Sequence, residues 1–260
     1  MRTVFTGLAA AATIVSAAVL TATMHGSAVV RPAVHASPVA AVATTRSAAS
    51  APSSAVPKPR RSVGRTAPAA PVERSPVRGA KVIFLTFDDG PDPVWTPQIL
   101  RVLTDNGATA TFFDIGQNAV GRAALIRQIR AQGSHVGNHT WNHPSLPTLT
   151  DAAITQQLDD TDRVQGRARC VRPPYGATDN RVDALIRARG QRVELWNVDT
   201  RDWARPGVPA IEHQLLTARA GSTVLMHTGG GDRSQTVAAL RAALPKLRAA
   251  GYVLQGIPGC

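Results

Sequence analysis

Short apolar runs alternate with amphipathic segments from Lys81 to the end of the chain. The runs have the length of buried strands, and the segments between them repeat apolar residues at helical spacing. The predicted strands are residues 82–87, 110–115, 135–136, 170–171, 192–198 and 223–226. The predicted helices are residues 96–104, 120–131, 151–164, 180–189, 209–219 and 234–249. This alternation predicts an α/β fold, a parallel sheet covered by helices and curled into a barrel-like single domain of about seven strands.

Composition separates the first 80 residues from this pattern. They hold nine Lys or Arg against one Glu, and no aromatic residue falls between Thr6 and Ile83. Residues 1–36 match an export signal, because Arg2 is followed by an uncharged apolar run over 7–24 and by small residues that a signal peptidase accepts. The alternative is an uncleaved membrane anchor, since the run is close to the ~18-residue lower limit for spanning. Both interpretations predict a secreted or extracellular domain, and association with the cell wall is a further expectation.

Residues 37–79 are rich in Pro, Ala and Arg. Such a composition buries too little apolar surface to offset its ordering entropy, which predicts a disordered linker before a folded domain over 80–260. The linker is either a basic tether within an anionic wall polymer or an inert spacer with an arginine bias. The folded part is only mildly basic and has no Lys/Arg stripe interleaved with aromatic residues, which argues against nucleic-acid binding. No second apolar run is long enough for a polytopic membrane protein.

The chain has two cysteines, Cys170 and Cys260. In an oxidising compartment two cysteines predict one disulfide, and the alternative is a pair of buried free thiols.

Unusual polar residues cluster at the carboxyl ends of the predicted strands. In α/β barrels this rim carries the catalytic groups. The residues concerned are Asp88, Asp89, His139, His143, Arg172 to Tyr175, Asp199 to Trp203 and His227. We therefore expect a functional site at this rim.

Asp88 and Asp89 are adjacent carboxylates that end the first strand, directly before Gly90 and Pro91. Asp-Gly-Pro is also ordinary turn sequence, but a turn needs only one Asp. Two neighbouring anions repel each other unless a cation or an arginine lies between them. One carboxylate is therefore expected to bind a metal while the other faces a substrate.

His139 and His143 are four residues apart, a spacing that places two imidazoles on one face of a helical turn. The alternative is a pair of surface histidines. With Asp89 on the same rim, two neutral imidazoles and a carboxylate make a three-ligand zinc site with an open position for water. His25 and His35 lie in the export segment, and His135 and His213 show no ligand spacing in the sequence.

Five segments at the predicted strand ends follow one another in the chain: TFDDGP at 86–91, HTWNHP at 139–144, RPPYG at 172–176, DTRDW at 199–203 and LMH at 225–227. Together they resemble the motifs of the polysaccharide deacetylase family, the NodB-type carbohydrate esterases. The resemblance covers about residues 81–256 and implies a distorted (β/α) barrel with one divalent metal, usually zinc and sometimes cobalt or nickel.

The resemblance also implies roles for individual residues. Asp89, His139 and His143 would be the metal ligands. Asp88 would be the general base, paired with Arg172, and His227 the general acid, oriented by Asp202. The backbone N–H of Tyr175 would hold the oxyanion, next to the rigid turn at Pro173. Trp203 and Trp141 are either walls of a sugar groove or core aromatics.

The function implied is removal of N-acetyl groups from N-acetylglucosamine-type glycans, with peptidoglycan, chitin or chito-oligosaccharides as the substrate and a monomeric enzyme. A close alternative is an O-acetyl xylan esterase using the same chemistry. A carbohydrate-binding wall protein without turnover is a third, although binding alone requires neither a base nor an acid. Gly229-Gly230-Gly231 lacks the Lys-Ser/Thr of a phosphate-binding loop and predicts a flexible rim loop.

Overall fold

Strands and helices alternate along residues 79–260, the part of the chain that this computed structural model describes. The strands are β1 (Lys81–Gly90), β2 (Thr111–Asp114), β3 (His135–Asn138), β4 (Cys170–Val171), β5 (Arg192–Val193), β6 (Val198–Asp199), β7 (Thr223–His227) and β8 (Tyr252–Gln255). The α-helices are α1 (Trp95–Asp105), α2 (Gly116–Ala119), α3 (Ala123–Ala131), α4 (Asp151–Gln165), α5 (Asn180–Ala188), α6 (Val208–Thr217) and α7 (Ser234–Ala249). The predicted export segment and all of the predicted linker except Gly79 lie outside the described residues. Within 79–260, no helix is long and apolar enough to cross a bilayer.

All pairings in the sheet are parallel, and its strand order is β5-β4-β3-β2-β1-β7-β6. The first half of β1 also pairs with β8, which the sequence pattern did not predict. Strands β5 and β6 are the two ends of this order and do not pair with each other. The sheet is therefore a curled half-barrel, which confirms the predicted α/β barrel with about seven strands and its distortion.

The single strand predicted over residues 192–198 is wrong, because the structure has two short strands there, separated by residues 194–197. The carbonyls of Glu194 and Leu195 accept hydrogen bonds from the Arg172 side chain, at 3.1 Å each. The segment therefore crosses from one edge of the open barrel to the other instead of continuing one ladder. The rim residues Asp199 to Trp203 therefore lie at the end of β6 and not at the end of β5.

Strand β1 positions the site because it is buried on both faces. Ile83, Leu85 and Phe87 join the core beneath the helices, with all three side chains fully buried. Side chains alternate along a strand, so Thr86 and Asp88 share the opposite face, inside the half-barrel. One guanidinium nitrogen of Arg172 bonds both of them.

Cys170 and Cys260 form the predicted disulfide, with their Cα atoms 5.2 Å apart. The alternative of two free thiols is wrong. The bond ties the end of the chain to β4, two residues before Arg172. It therefore attaches the C-terminal segment to the strand that leads into the candidate site.

Candidate metal centre and active site

The carboxyl ends of β1, β3, β4, β6 and β7 meet at one rim, and the predicted residues lie together there. The structure brings together Asp88, Asp89, His139, His143, Arg172, Pro173, Tyr175, Asp202 and His227, with Trp203 at the outer edge.

Asp89, His139 and His143 form a cluster of three potential metal ligands. Oδ1 of Asp89 lies 3.6 Å from Nε2 of His139 and 3.5 Å from Nε2 of His143. One donor atom from each residue lies within 4.8 Å of the others. The same Asp89 oxygen is buried and accepts no hydrogen bond. A buried anion without a partner, facing two imidazole nitrogens, fits a divalent cation well.

Asp89 reaches this position through an unusual backbone conformation. Regular alternation along β1 would turn adjacent carboxylates to opposite faces of the sheet. The pairing register with β2 instead shifts between Asp88 and Gly90, and Asp89 has a φ of 66°, in the left-handed region. Both carboxylates therefore project into the same site, at some cost in backbone strain.

The helical turn predicted for His139 and His143 is wrong, although the two imidazoles do come together. Residues 139–143 form an irregular loop in which Thr140 and His143 have φ values of 67° and 65°. Oδ1 of Asn138 accepts the Thr140 amide at 2.8 Å, and the Thr140 hydroxyl accepts the His143 amide at 3.1 Å. Side chains of the loop thus replace the hydrogen bonds of a helix and bring the two rings to 4.9 Å.

His139 is held in the state that a metal ligand requires. Burial of the ring lowers the pKa of His139 to about 3, so the imidazole is neutral at physiological pH. Nδ1 lies 2.6 Å from the carbonyl oxygen of Arg172, to which only a protonated Nδ1 can donate. The lone pair is therefore on Nε2, the nitrogen that faces Asp89.

Asp88 is buried beside this cluster and bonded to Arg172. Nη1 of Arg172 donates to Oδ1 of Asp88 at 2.8 Å, and Oδ2 lies 3.7 Å from Nε2 of His139. Burial raises the pKa of Asp88, while the positive charges of Arg172 and His227 lower it, and the net direction is upward. A carboxylate with raised pKa accepts a proton more readily than an exposed one.

Arg172 is fully buried, an arrangement that is tolerated only when the guanidinium is well bonded. Its planar group lies 4.2 Å from the Phe113 ring and 5.5 Å from the Trp196 ring. Its donors reach a carboxylate, a hydroxyl and two carbonyls, so the side chain has little freedom to rotate. This rigid partner therefore fixes the orientation of the Asp88 carboxylate.

His227 and Asp202 form a second hydrogen-bonded pair. Nδ1 of His227 lies 2.7 Å from Oδ1 of Asp202, whose other oxygen accepts the His227 amide at 3.0 Å and the Thr236 hydroxyl at 2.7 Å. Burial lowers the pKa of His227, but the hydrogen bond and charge of Asp202 outweigh burial, so the pKa is raised overall. His227 is opposite Asp88 in the β1–β7 pairing.

Aromatic side chains border the site. Tyr175 is 70% exposed, and its ring lies 4.5 Å from that of His143. Trp203 is 51% exposed, with Arg201 over its ring at 5.6 Å. Trp141 instead packs against Gly116, where an added Cβ would come within 2.5 Å of its ring. Trp203 is therefore the tryptophan placed to wall a groove, and Trp141 is a packing residue.

The turn from Pro173 to Gly176 leaves one backbone donor available. The Gly176 amide donates to the Pro173 carbonyl at 3.0 Å, whereas the Tyr175 amide makes no backbone hydrogen bond within the described residues. Tyr175 has a φ of 61°, which interrupts the helical path of the turn. Its N–H is thus free to bind an oxygen in the site.

Gly229 of the three-glycine loop is required by close packing. A Cβ at this position would lie 2.0 Å from the carbonyl oxygen of Asp89. The buried Arg233 side chain also holds the Gly229 carbonyl, at 2.8 Å. The backbone beside Asp89 therefore leaves no room for a side chain at residue 229.

Several supporting residues were not predicted. Thr86 shares Arg172 with Asp88, Asn138 shapes the histidine loop, and Thr236 bonds Asp202. Asp114, at the end of β2, is also buried, and neither of its carboxylate oxygens has a hydrogen-bond partner. Burial raises its pKa well above the usual value. Thr86 is the first residue of the TFDDGP segment and Asn138 directly precedes HTWNHP, so a sequence signal was available for both, whereas Thr236 lies within a helix and gives none.

Comparison with known proteins gives consistent matches. The family described as polysaccharide deacetylase matches residues 76–193. A chitooligosaccharide deacetylase of Sinorhizobium fredii is 38% identical over 197 residues, covering 69% of this chain and 92% of that protein. A peptidoglycan-N-acetylglucosamine deacetylase of Bacillus cereus is 40% identical over 179 residues, covering 66% of this chain and 84% of that protein. The structure of peptidoglycan deacetylase PdaC from Bacillus subtilis aligns with a TM-score of 0.63 at 34% identity, over 69% of this chain and 89% of that one. The chain therefore belongs to the polysaccharide deacetylase family and is a hydrolase of amide bonds in polysaccharides.

Proposed function

We propose that this protein is an exported, metal-dependent deacetylase that hydrolyses N-acetyl groups of N-acetylglucosamine-type glycans, with peptidoglycan or chito-oligosaccharides as substrate. The observation that carries the proposal is the placement of Asp88 and His227. They are paired positions on adjacent strands, next to the three-ligand cluster. A base and an acid beside a metal site are what amide hydrolysis needs and what simple sugar binding does not.

Asp89, His139 and His143 would hold the metal, and we propose zinc, with cobalt or nickel as substitutes. Two imidazoles and one carboxylate are the ligand types and the number found in catalytic zinc sites. When bound, the ion supplies positive charge that acidifies water and polarises the acyl group.

Asp88 would act as the general base. It takes a proton from the water molecule that adds to the acetyl carbonyl carbon. Oδ1 of Asp88 keeps its hydrogen bond to Arg172, which holds Oδ2 in a fixed orientation to accept the proton. The negative charge that develops on the carbonyl oxygen would be met by the available N–H of Tyr175.

His227 would act as the general acid. The C–N bond breaks as the protonated imidazole gives its proton to the sugar nitrogen, releasing acetate and a free amine. The Asp202 carboxylate binds Nδ1 and leaves Nε2 to serve as the donor. Because Asp202 raises the pKa of His227, the acid form persists to higher pH than that of an ordinary histidine.

Asp202→Asn is expected to move the alkaline limb of the kcat/KM profile to lower pH. The change removes the negative charge that raises the pKa of His227, so the imidazole loses its proton at lower pH. Activity above neutral pH should fall, by up to about 10²-fold. The check is a pH–rate profile of the metal-loaded protein.

Thr236→Val is the matched control, because it removes a hydrogen bond to Asp202 but keeps the charge. Its alkaline limb should stay close to that of wild type. An Asp202→Asn profile that overlays wild type would contradict the acid role of His227.

The substrate class is supported by the rim and by the relatives. Exposed rings at Tyr175 and Trp203 suit the apolar faces of sugars. The similar proteins are named for chitooligosaccharide and peptidoglycan N-acetylglucosamine deacetylation. Export is supported by the composition of residues 1–36.

Acetate release tests the function directly. The purified protein is incubated side by side with peptidoglycan, chito-oligosaccharides and acetylated xylan, with a chelator and with added zinc or cobalt. We expect chelator-sensitive release from at least one N-acetylated glycan. Release from xylan alone would establish the O-acetyl esterase, and binding without release from any glycan would establish a binding protein.

A further inference from the structure

A second concave surface lies at the opposite end of the sheet from the active site. It is a groove of about 880 Å³, lined by the loops that precede β2, β3 and β4 and by strand β8. These are the amino ends of the strands, whereas the catalytic rim lies at their carboxyl ends. The groove therefore shares no residue with the site described above.

Four arginines line this groove: Arg130, Arg167, Arg169 and Arg248. All four are exposed, and no Asp or Glu belongs to the described lining. Asp105 ends α1 next to the groove but forms no ion pair with any of them. The charged side chains among the described lining residues are therefore the four arginines.

Three of the four arginines are held in place by backbone carbonyls and not by carboxylates. Arg130 donates to the carbonyl of Gln165 at 2.7 Å, Arg167 to the carbonyl of Arg189, and Arg248 to the carbonyl of Asn106. The Arg169 side chain makes no hydrogen bond within the described residues. A guanidinium has five N–H donors, so one or two backbone bonds fix its position and leave others for a ligand.

Several exposed or half-buried arginines elsewhere on the domain are paired with carboxylates. Arg181 bonds Asp151 at 2.6 Å, Arg189 bonds Asp159 at 2.6 Å, and Arg205 bonds Asp232 at 2.7 Å. The distinguishing feature of the groove is that four guanidinium groups, from three segments of the chain, line one cavity whose described lining has no Asp or Glu. Like charges in a concave surface repel each other, and an anion would relieve that repulsion.

From these features we propose that the groove binds a phosphodiester polymer of the cell wall, one without nucleobases. A phosphate group accepts forked hydrogen bonds from guanidinium groups, and repeated phosphates match several arginines along one groove. Nucleic acid is disfavoured because Tyr252 is the sole Phe, Tyr or Trp of the described lining, too few large rings for a row of stacked bases. The assignment of the polymer to the cell wall rests on the proposed export. The proposed anion site itself does not depend on export.

The position of the groove suits this occupant. Strand β1 begins at Lys81, at the same end of the sheet, and Nζ of Lys81 lies 5.8 Å from the Tyr252 ring at the groove. The sequence just before Lys81, residues 37–79, carries seven Lys or Arg and one Glu. Binding at this end would hold the enzyme on an anionic polymer while the catalytic rim faces the glycan.

The test measures binding of the full chain to polyglycerol phosphate over a range of salt concentrations. The groove variant is Arg167→Gln/Arg169→Gln/Arg248→Gln. The matched control is Arg101→Gln/Arg127→Gln/Arg241→Gln, three exposed arginines outside the groove with the same loss of charge. We expect the groove variant to bind about tenfold more weakly, and the slope of log K against log salt to fall by about 2, or ~0.7 for each lost phosphate contact. Equal weakening in the two variants would overturn the proposal.

Two further arms complete the design. Single-stranded DNA and polyglutamate of the same charge are compared with polyglycerol phosphate, and tighter binding of either would overturn the assignment of the polymer. Turnover of a soluble chito-oligosaccharide should be unchanged in both variants, which separates this proposal from the catalytic one. Arg169→Glu, compared with Arg127→Glu, repeats the test without removing any side-chain hydrogen bond.

Discussion

Asp88→Asn is expected to lower kcat by about 10²- to 10⁴-fold while leaving the metal content unchanged, because positioned general bases contribute on that order. The amide keeps the shape of the carboxylate and can still accept the Arg172 hydrogen bond at Oδ1. It cannot take a proton from water. The three ligand residues are untouched, so metal should remain bound. The measurement is turnover on a chito-oligosaccharide alongside metal per protein after dialysis.

Asp105→Asn is the matched control, since Asp105 is exposed at the end of α1, next to the groove at the opposite end of the sheet from the rim. It should behave as wild type in both measurements. Near-normal turnover of Asp88→Asn would show that another group takes the proton. Loss of metal together with rate would instead assign Asp88 to the ligand set.

Much of the fold could be predicted because its signals are local. The apolar runs and the helical spacing between them are consequences of burial on both faces of a parallel sheet. The failures occur where tertiary contacts decide the outcome. The segment at 194–197 has an apolar pattern suited to a strand, yet the Arg172 guanidinium takes the carbonyls of Glu194 and Leu195. No local pattern reports a partner that lies more than twenty residues away.

The composition of the site could be predicted, but its backbone could not. Residue types and order predict the candidate ligands and the candidate acid and base. The spacing of His139 and His143, however, suggested a helix, and the structure has a loop with two left-handed residues. Asp89, Tyr175 and Arg201 also have positive φ values. Five strained non-glycine residues in the site motifs indicate that function, and not local preference, sets the backbone there.

The partners of each motif residue explain why such strain is tolerated. Asn138 and Thr140 satisfy the loop amides, and the absent side chain of Gly229 lets the backbone pack against Asp89. Each of these bonds joins side chain and backbone within a few residues or across neighbouring strands. The strained conformations are therefore over-determined by their surroundings, which is the condition under which they persist.

His143→Ala is expected to remove metal and activity together. Only three residues in the described part of the chain offer ligand atoms at this centre, so losing one leaves two. The loss of metal affinity should exceed the 10- to 100-fold that changes to outer-shell partners cause. The measurement is zinc affinity by calorimetry, together with the rise in Tm on adding zinc, since a bound ligand stabilises the folded state. Neither readout depends on turnover.

His213→Ala is the matched control, because His213 is an exposed histidine on α6, outside the cluster. It should bind zinc and be stabilised by it as wild type is. If His143→Ala kept wild-type affinity, the buried and unpartnered Oδ1 of Asp89 would need a different cation partner, and the three-ligand centre would be wrong. If instead both affinity and the Tm response are lost, the cluster is the metal site. Any activity that remained would then have to come from Asp88 and His227 alone.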